Sequence, residues 1–82
     1  MKKGDIVKSV AGHDKDNYYI VTDEDNEVVF LCDGKNKTLS EPKKKNKKHI
    51  EYTNVTVDLS VYNPLYDAHI RKELKSFNKI GG

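Results

Sequence analysis

The stretch from Gly4 to Val21, G-D-I-V-K-S-V-A-G-H-D-K-D-N-Y-Y-I-V, constrains the chain more than any other. Two apolar, β-branched runs, Ile6-Val7 with Val10 and then Tyr18-Tyr19-Ile20-Val21, flank a polar loop centred on Gly12, the pattern of strand, loop and strand. Gly12 is free to take a positive φ and to let another backbone come close. Asp14 can bond its own main chain two residues on, so the A-G-H-D-K turn is expected to be tight. At its tip His13, Lys15 and Asn17 offer a switchable cation, a cation and an amide, groups that suit phosphates and base edges. An ordinary hairpin loop would also carry a lysine, so this pattern alone does not decide between the two.

Eighty-two residues make one domain, because a chain this short buries only ~60–65 % of its unfolded surface. With 35 % hydrophobic and 34 % charged residues and no Trp, the core is small and draws on Phe30, Phe77 and the tyrosines. The lone Cys32, set in V-V-F-L-C, rules out an internal disulfide, suits a reducing compartment and reads as a buried small hydrophobe. No apolar run approaches the ~18 residues that span a bilayer, and Lys2-Lys3 lead into Gly4-Asp5 without a signal-peptide core. The expected location is cytoplasmic.

Further along, Thr22 to Glu27 is an acidic turn and Val28 to Cys32 a third strand covered on both faces. Asp33-Gly34 is a strong hairpin signal, with Lys35 to Ser40 returning as a fourth strand, Leu39 inward and Lys35 and Lys37 outward. Pro42 ends that strand or marks an edge. The K-K-K-N-K-K-H that follows has no apolar residue and no reason to be buried. Ile50, Tyr52, Val55, Val57 and Leu59 resume partial alternation, with Asn54 marking a turn or short break. Five short strands suit a small closed barrel better than an open sheet with long edges.

Beyond them the period changes. Asn63-Pro64 predicts a helix start, with Asp67 near the positive end of the dipole. Tyr66, Ile70, Leu74 and Phe77 fall on one face that docks on the barrel, while Arg71, Lys72, Lys75 and Lys79 lie elsewhere. The expected organisation is therefore mostly β: residues 1–62 as the barrel, including the basic segment 35–49, and residues 63–82 as a C-terminal helix and tail packed on it.

The net charge of +2 conceals a division. Asp16 to Asp33 holds six acids and no Lys or Arg, whereas Gly34 to Ile50 holds seven Lys and one acid, Glu41. A polyanion responds to that local field and not to the sum. A solvated loop is the plain reading of such a run. Against it, five lysines between Lys43 and Lys48 repel one another, a cost that a small domain carries for a reason.

The order G-D-x-V-x-x-x-A-G-x-D-K, followed by an aromatic pair and β-branched residues, resembles the KOW motif, the strand-loop-strand unit of SH3-like barrels in ribosomal and transcription elongation proteins. Within that family the chain is similar to large-subunit ribosomal proteins of the fourteen-e type and their small bacterial relatives. In those, an Asp-Gly turn and a P-K-K-K-x-K-H run stand where this chain has Asp33-Gly34 and Pro42 to His49. Asp16 and Tyr19 occupy positions where the family often has glycine. The resemblance covers Gly4 to about Ile50 and implies a five-stranded SH3-like barrel that binds structured RNA, most plausibly ribosomal RNA.

The RNA-binding set expected from loop and run together is Lys8, Gly12, His13, Lys15, Asn17, Lys35, Lys37, Lys43, Lys44, Lys45, Asn46, Lys47, Lys48 and His49. Lysines make point contacts, so shape and charge would be read more than base sequence, with any sequence preference coming from His13 and Asn17. Tyr18 would stack on a base only if it points outward, and a strand Tyr beside Ile20 is more often core. A protein-interaction module is the second reading, since SH3-like barrels also hold proteins and Asp23 to Glu27 offers an acidic surface.

Other chemistries find little support. Gly81-Gly82 follows a helix and reads as a frayed tail, not a conjugation tail. His13, His49, His69 and Cys32 share no metal-ligand spacing. No phosphate loop, Ser/His/Asp order or apolar carboxylate pair stands out, so no enzyme activity and no cofactor are expected. Ribosomal RNA, neighbouring ribosomal proteins and a monomeric free state complete the expectation.

Overall fold

The computed structural model describes residues 1–79; the expected Gly81-Gly82 tail lies outside the described residues. The leading apolar runs form β1 (Asp5–Ser9) and β2 (Tyr18–Glu24), paired antiparallel with Ile6 opposite Ile20 and Val7 opposite Tyr19. β3 (Val28–Cys32) continues the meander, with Ile20 opposite Cys32 and Val21 opposite Leu31. β4 (Lys43–Asn46) pairs with β3, and β5 (Ile50–Thr56) with the free side of β1, giving the order β4-β3-β2-β1-β5. α1 (Asp67–Lys79) follows.

Side chains alternate faces along a strand, and here both faces are buried. Ile6, Ile20 and Cys32 form a cross-strand row on which Leu59, Ile70 and Leu74 pack. Val7, Tyr19, Val21, Val29, Leu31 and Ile50 form a second cluster on the opposite face. β3 is covered on one side through Val29 and Leu31 and on the other only at Cys32; Val28 and Phe30 are half-buried, and Phe30, expected in the core, joins neither cluster. Cys32 is fully buried; its thiol donates to the Thr38 carbonyl at 3.2 Å, and burial pushes its pKa up, with neighbouring Asp67 and Asp33 adding to the effect and a hydrogen bond with Thr22 opposing it.

The ladder is not closed: β4 and β5 are its two edges and do not pair. They are nonetheless joined by a single 3-10 turn, Lys47–His49. A flat five-stranded sheet would set its edges ~19 Å apart, whereas the four Cα steps from Asn46 to Ile50 span at most ~15 Å and much less in a 3-10 turn. The sheet therefore curls, bringing the end of β4 toward the start of β5 around the second cluster.

Three sequence expectations are corrected here. Lys35 to Ser40 is not a strand; it is a loop in which Asp33 Oδ1 accepts from the backbone N–H of Lys35 and Lys37, both at 2.9 Å. The fourth strand lies instead in the lysine run, directly after Pro42. Its all-polar residues are no obstacle, because a ladder to β3 satisfies the backbone and lysine stems cover apolar neighbours. Lysines also suit an edge that must not recruit other strands.

The third correction concerns the helix, which begins at Asp67 and not at Asn63-Pro64, a cis peptide. Ile70 and Leu74 are buried and Phe77 packs on Tyr18 with ring centroids 5.2 Å apart, but Tyr66 precedes the helix and is 60 % exposed. Asn54 does mark a break, at φ +67, opposite a register shift between Asp5 and Val7.

The helix is latched to the 33–39 loop. Arg71 Nη1 donates to the Gly34 carbonyl at 2.5 Å, and Asp67 Oδ1 accepts from Leu39 N at 2.8 Å. Gly34 has φ +79, and a Cβ there would stand 2.5 Å from the Asp67 carbonyl oxygen and 2.7 Å from Arg71 Cγ. Gly34→Ala is expected to cost at least ~2 kcal/mol, from left-handed backbone strain and separation of the helix start from the loop. Urea unfolding measures this, and an unchanged midpoint would contradict the latch.

Candidate nucleic-acid interface

The loop between β1 and β2 is built from its own backbone. Lys15 N donates to the Gly12 carbonyl at 3.2 Å, Asn17 N to the Asp14 carbonyl at 3.0 Å and Asp16 N to the Ser9 carbonyl at 2.8 Å. Gly12 takes φ +86, as its position in the turn predicts. Asp16 also takes a positive φ of 73, and aspartate is one of the side chains that tolerate the left-handed conformation.

Lysines from β4 reach this loop. Lys45 Nζ donates to the Ala11 carbonyl at 2.7 Å and to Asp14 Oδ1 at 2.6 Å. Lys43 Nζ stands 3.4 Å from Asp14 Oδ2, held by charge, since that oxygen accepts no hydrogen bond. The Ser9 hydroxyl lies 3.0 Å from Asp14 Oδ1 and 3.1 Å from the Ala11 carbonyl and can donate to either. Val10 N donates to the His49 carbonyl at 2.9 Å, tying the loop to the end of the basic run. Two segments far apart in sequence thus share one side of the molecule.

Lys45 and Asp14 are nearly buried, with side chains 10 % and 12 % exposed. Burial by itself would raise the Asp14 pKa. Hydrogen bonds from Lys45 and Ser9, with the charges of Lys43 and Lys45, outweigh it and bring the carboxyl down to about 2 from 3.8. A group whose pKa falls on folding adds stability above its unfolded value and loses that stability as pH drops through the folded one. The displacement corresponds to ~2 kcal/mol, present above about pH 4 and gone below about pH 2.

The remaining expected residues divide into committed and uncommitted groups. Lys47 Nζ pairs with Glu24 at 3.3 Å and Lys8 Nζ with Asp16 at 3.5 Å. Asn46 Oδ1 accepts from Lys48 N at 3.0 Å and so caps the 3-10 turn. Lys15, Lys44 and Lys48 are exposed and pair with no carboxylate among the described residues, and His13, Asn17 and His49 are exposed beside them in the chain. Lys35 and Lys37 belong to the loop held by Asp33, away from β4 in the chain.

Asp14, expected only as a turn former, pairs with two lysines of β4, and nothing in its spacing from them signals this. Among the described residues, acids of the Gly12 loop and of β2 meet lysines of β1 and of the basic run, in pairs of Asp16 with Lys8, Asp14 with Lys43 and Lys45, and Glu24 with Lys47.

Asp14→Asn is expected to lower stability by ~3 kcal/mol at pH 7, because Lys45 stays buried with one carbonyl partner. The gap to the parent protein should close between pH 4 and pH 2 as Asp14 itself protonates; urea titrations across that range measure it, and a pH-independent gap would count against the assignment. Asp16→Gly should raise stability by ~0.5–1 kcal/mol, since the left-handed conformation costs glycine nothing and the Lys8 pair is exposed and weak. A loss of stability in the same measurement would overturn that reading.

Comparison of the chain with models of known protein families gives no match, and neither does comparison with curated protein sequences.

Proposed function

We propose that the chain is an RNA-binding protein of the KOW type, its curled sheet acting as an SH3-like barrel that lies against structured RNA. Ribosomal RNA is the target implied by the sequence resemblance, in the cytoplasm and as a component or associated factor of the ribosome. The observation that carries the reading is the junction of Lys45 with Ala11 and Asp14, which joins the Gly12 loop and the basic run into one surface.

The division of labour on that surface follows from the ion pairs. Lys43 and Lys45 fix the loop against β4, and Lys47 and Lys8 are balanced by their own acids. Lys15, Lys44 and Lys48 remain to meet phosphates and release counterions, which makes binding steeply salt-dependent. His13 and Asn17 at the loop tip supply donors and acceptors for bases that leave the stack, as in loops and bulges. Replacing the whole lysine run would therefore confound binding with folding.

The expected test is a filter-binding titration against deproteinised large-subunit ribosomal RNA. Lys15→Gln/Lys44→Gln/Lys48→Gln should keep the fold, weaken binding at least ~10-fold near 100 mM salt and flatten the log K against log salt slope by ~2, at ~0.7–0.9 per phosphate. Salt-independent affinity, or a triple variant that binds like the parent, would sink the proposal. A pull-down whose partners all survive RNase treatment would favour a protein-interaction module instead.

A further inference from the structure

The helix side of the molecule carries a second cationic surface, which shares Lys35 and Asn17 with the expected binding set and adds Arg71, Lys72 and Lys75. An open groove of about 1020 Å³ lies between the start of β2, the 33–36 loop and α1. Tyr18 and Leu74 supply apolar lining, and Lys35, Arg71, Lys72 and Lys75 supply positive charge, against two acids, Asp16 and Asp33.

The acids are already occupied. Asp33 Oδ1 accepts two backbone N–H groups of its own loop, and Asp16 pairs with Lys8. Arg71 spends one guanidinium N–H on the Gly34 carbonyl and keeps the rest. Lys35, Lys72 and Lys75 pair with no carboxylate among the described residues. Arg71, Lys72 and Lys75 sit three and four positions apart on α1, where like charges repel. The basic run, by contrast, has three of its five lysines between Lys43 and Lys48 in ion pairs with two acids, Asp14 and Glu24. The unspent positive charge of the helix side is therefore comparable to that of the basic run.

The shape favours a strand over a small molecule. The volume is at the upper limit of the ~300–1,000 Å³ that encloses a drug-sized ligand. The helix lines it from Ala68 to Asn78, a length of ~15 Å at 1.5 Å per residue, over which one strand of a duplex passes roughly four phosphates. One end of the groove is Asp16 to Tyr18, the exit of the Gly12 loop itself. The groove therefore begins where the Gly12 loop ends.

We infer that the phosphodiester backbone of the bound RNA continues past the Gly12 loop into this groove, with Lys72 and Lys75 meeting phosphates on the helix wall and Lys35 on the loop wall. This rests on the RNA-binding reading above and doubles the footprint it implies. Lys72 and Lys75 are exposed, so neutralising them leaves the packing of Ile70 and Leu74 intact.

The test compares Lys72→Gln/Lys75→Gln with the parent and with the Lys15/Lys44/Lys48 triple variant, in filter binding to deproteinised large-subunit ribosomal RNA across a salt series. Circular-dichroism melts confirm that each is folded. The double variant is expected to lose ~10-fold or more in affinity near 100 mM salt and ~1.4–1.8 in slope, two phosphates' worth. If it binds with the parent's affinity and slope while the triple variant weakens, the groove is not part of the footprint and the RNA-binding reading stands alone. If the parent binds no RNA, both fall. Poly-L-glutamate that binds the parent as tightly as RNA, and loses that binding in the double variant, would assign the groove to acidic peptides and overturn the inference.

Discussion

One carboxylate organises the side of this molecule where the Gly12 loop meets the basic run. Asp14, in the loop between the first two strands, pairs with two lysines from the β4 edge of the sheet. Without it Lys45 would stand nearly buried against one carbonyl, that of Ala11, and Lys43 would have no counter-charge. The curl that lets β4 run into β5 through three residues needs something to hold that end of the sheet shut, since no ladder joins the two edges. The Asp14 cluster does so with side chains, together with the Val10 to His49 backbone bond.

How far the fold could be read in advance depended on whether local pattern or tertiary contact decided each segment. β1, β2 and β3 carry their own signal, β-branched and aromatic residues in runs bounded by polar turns, and all three form. But Val10 falls beyond β1 and is exposed, and β2 runs on through Thr22 to Glu24, expected as part of an acidic turn, because Asp23 and Glu24 pair with Phe30 and Val29. The face of α1 was equally legible through Ile70, Leu74 and Phe77. Lys43–Asn46 was not, because nothing apolar marks it; it is a strand through its ladder with β3 and the cover its lysine stems give to Val29 and Leu31. Asp33-Gly34 misled for the complementary reason. Its turn does form, but the residues after it find partners in Asp33 and in the helix instead of in β3.

The charges teach a similar lesson. Composition and order showed a basic run beside an acidic one, and self-repulsion in the former was the argument for an external partner. Part of that repulsion is relieved internally, by Asp14 and Glu24. The unpaired cations among the described residues are therefore fewer than a count of lysines suggests, and Lys72 and Lys75 of α1 are among them.

The order of elements has a consequence for how the chain acquires its structure during synthesis. Ile6, Ile20 and Cys32 are in place as soon as three strands have formed, yet the surface that shields their row comes from Leu59, Ile70 and Leu74, near the other end of the chain. Were the three strands to form before α1 is made, that row would stand uncovered until the helix docks on it.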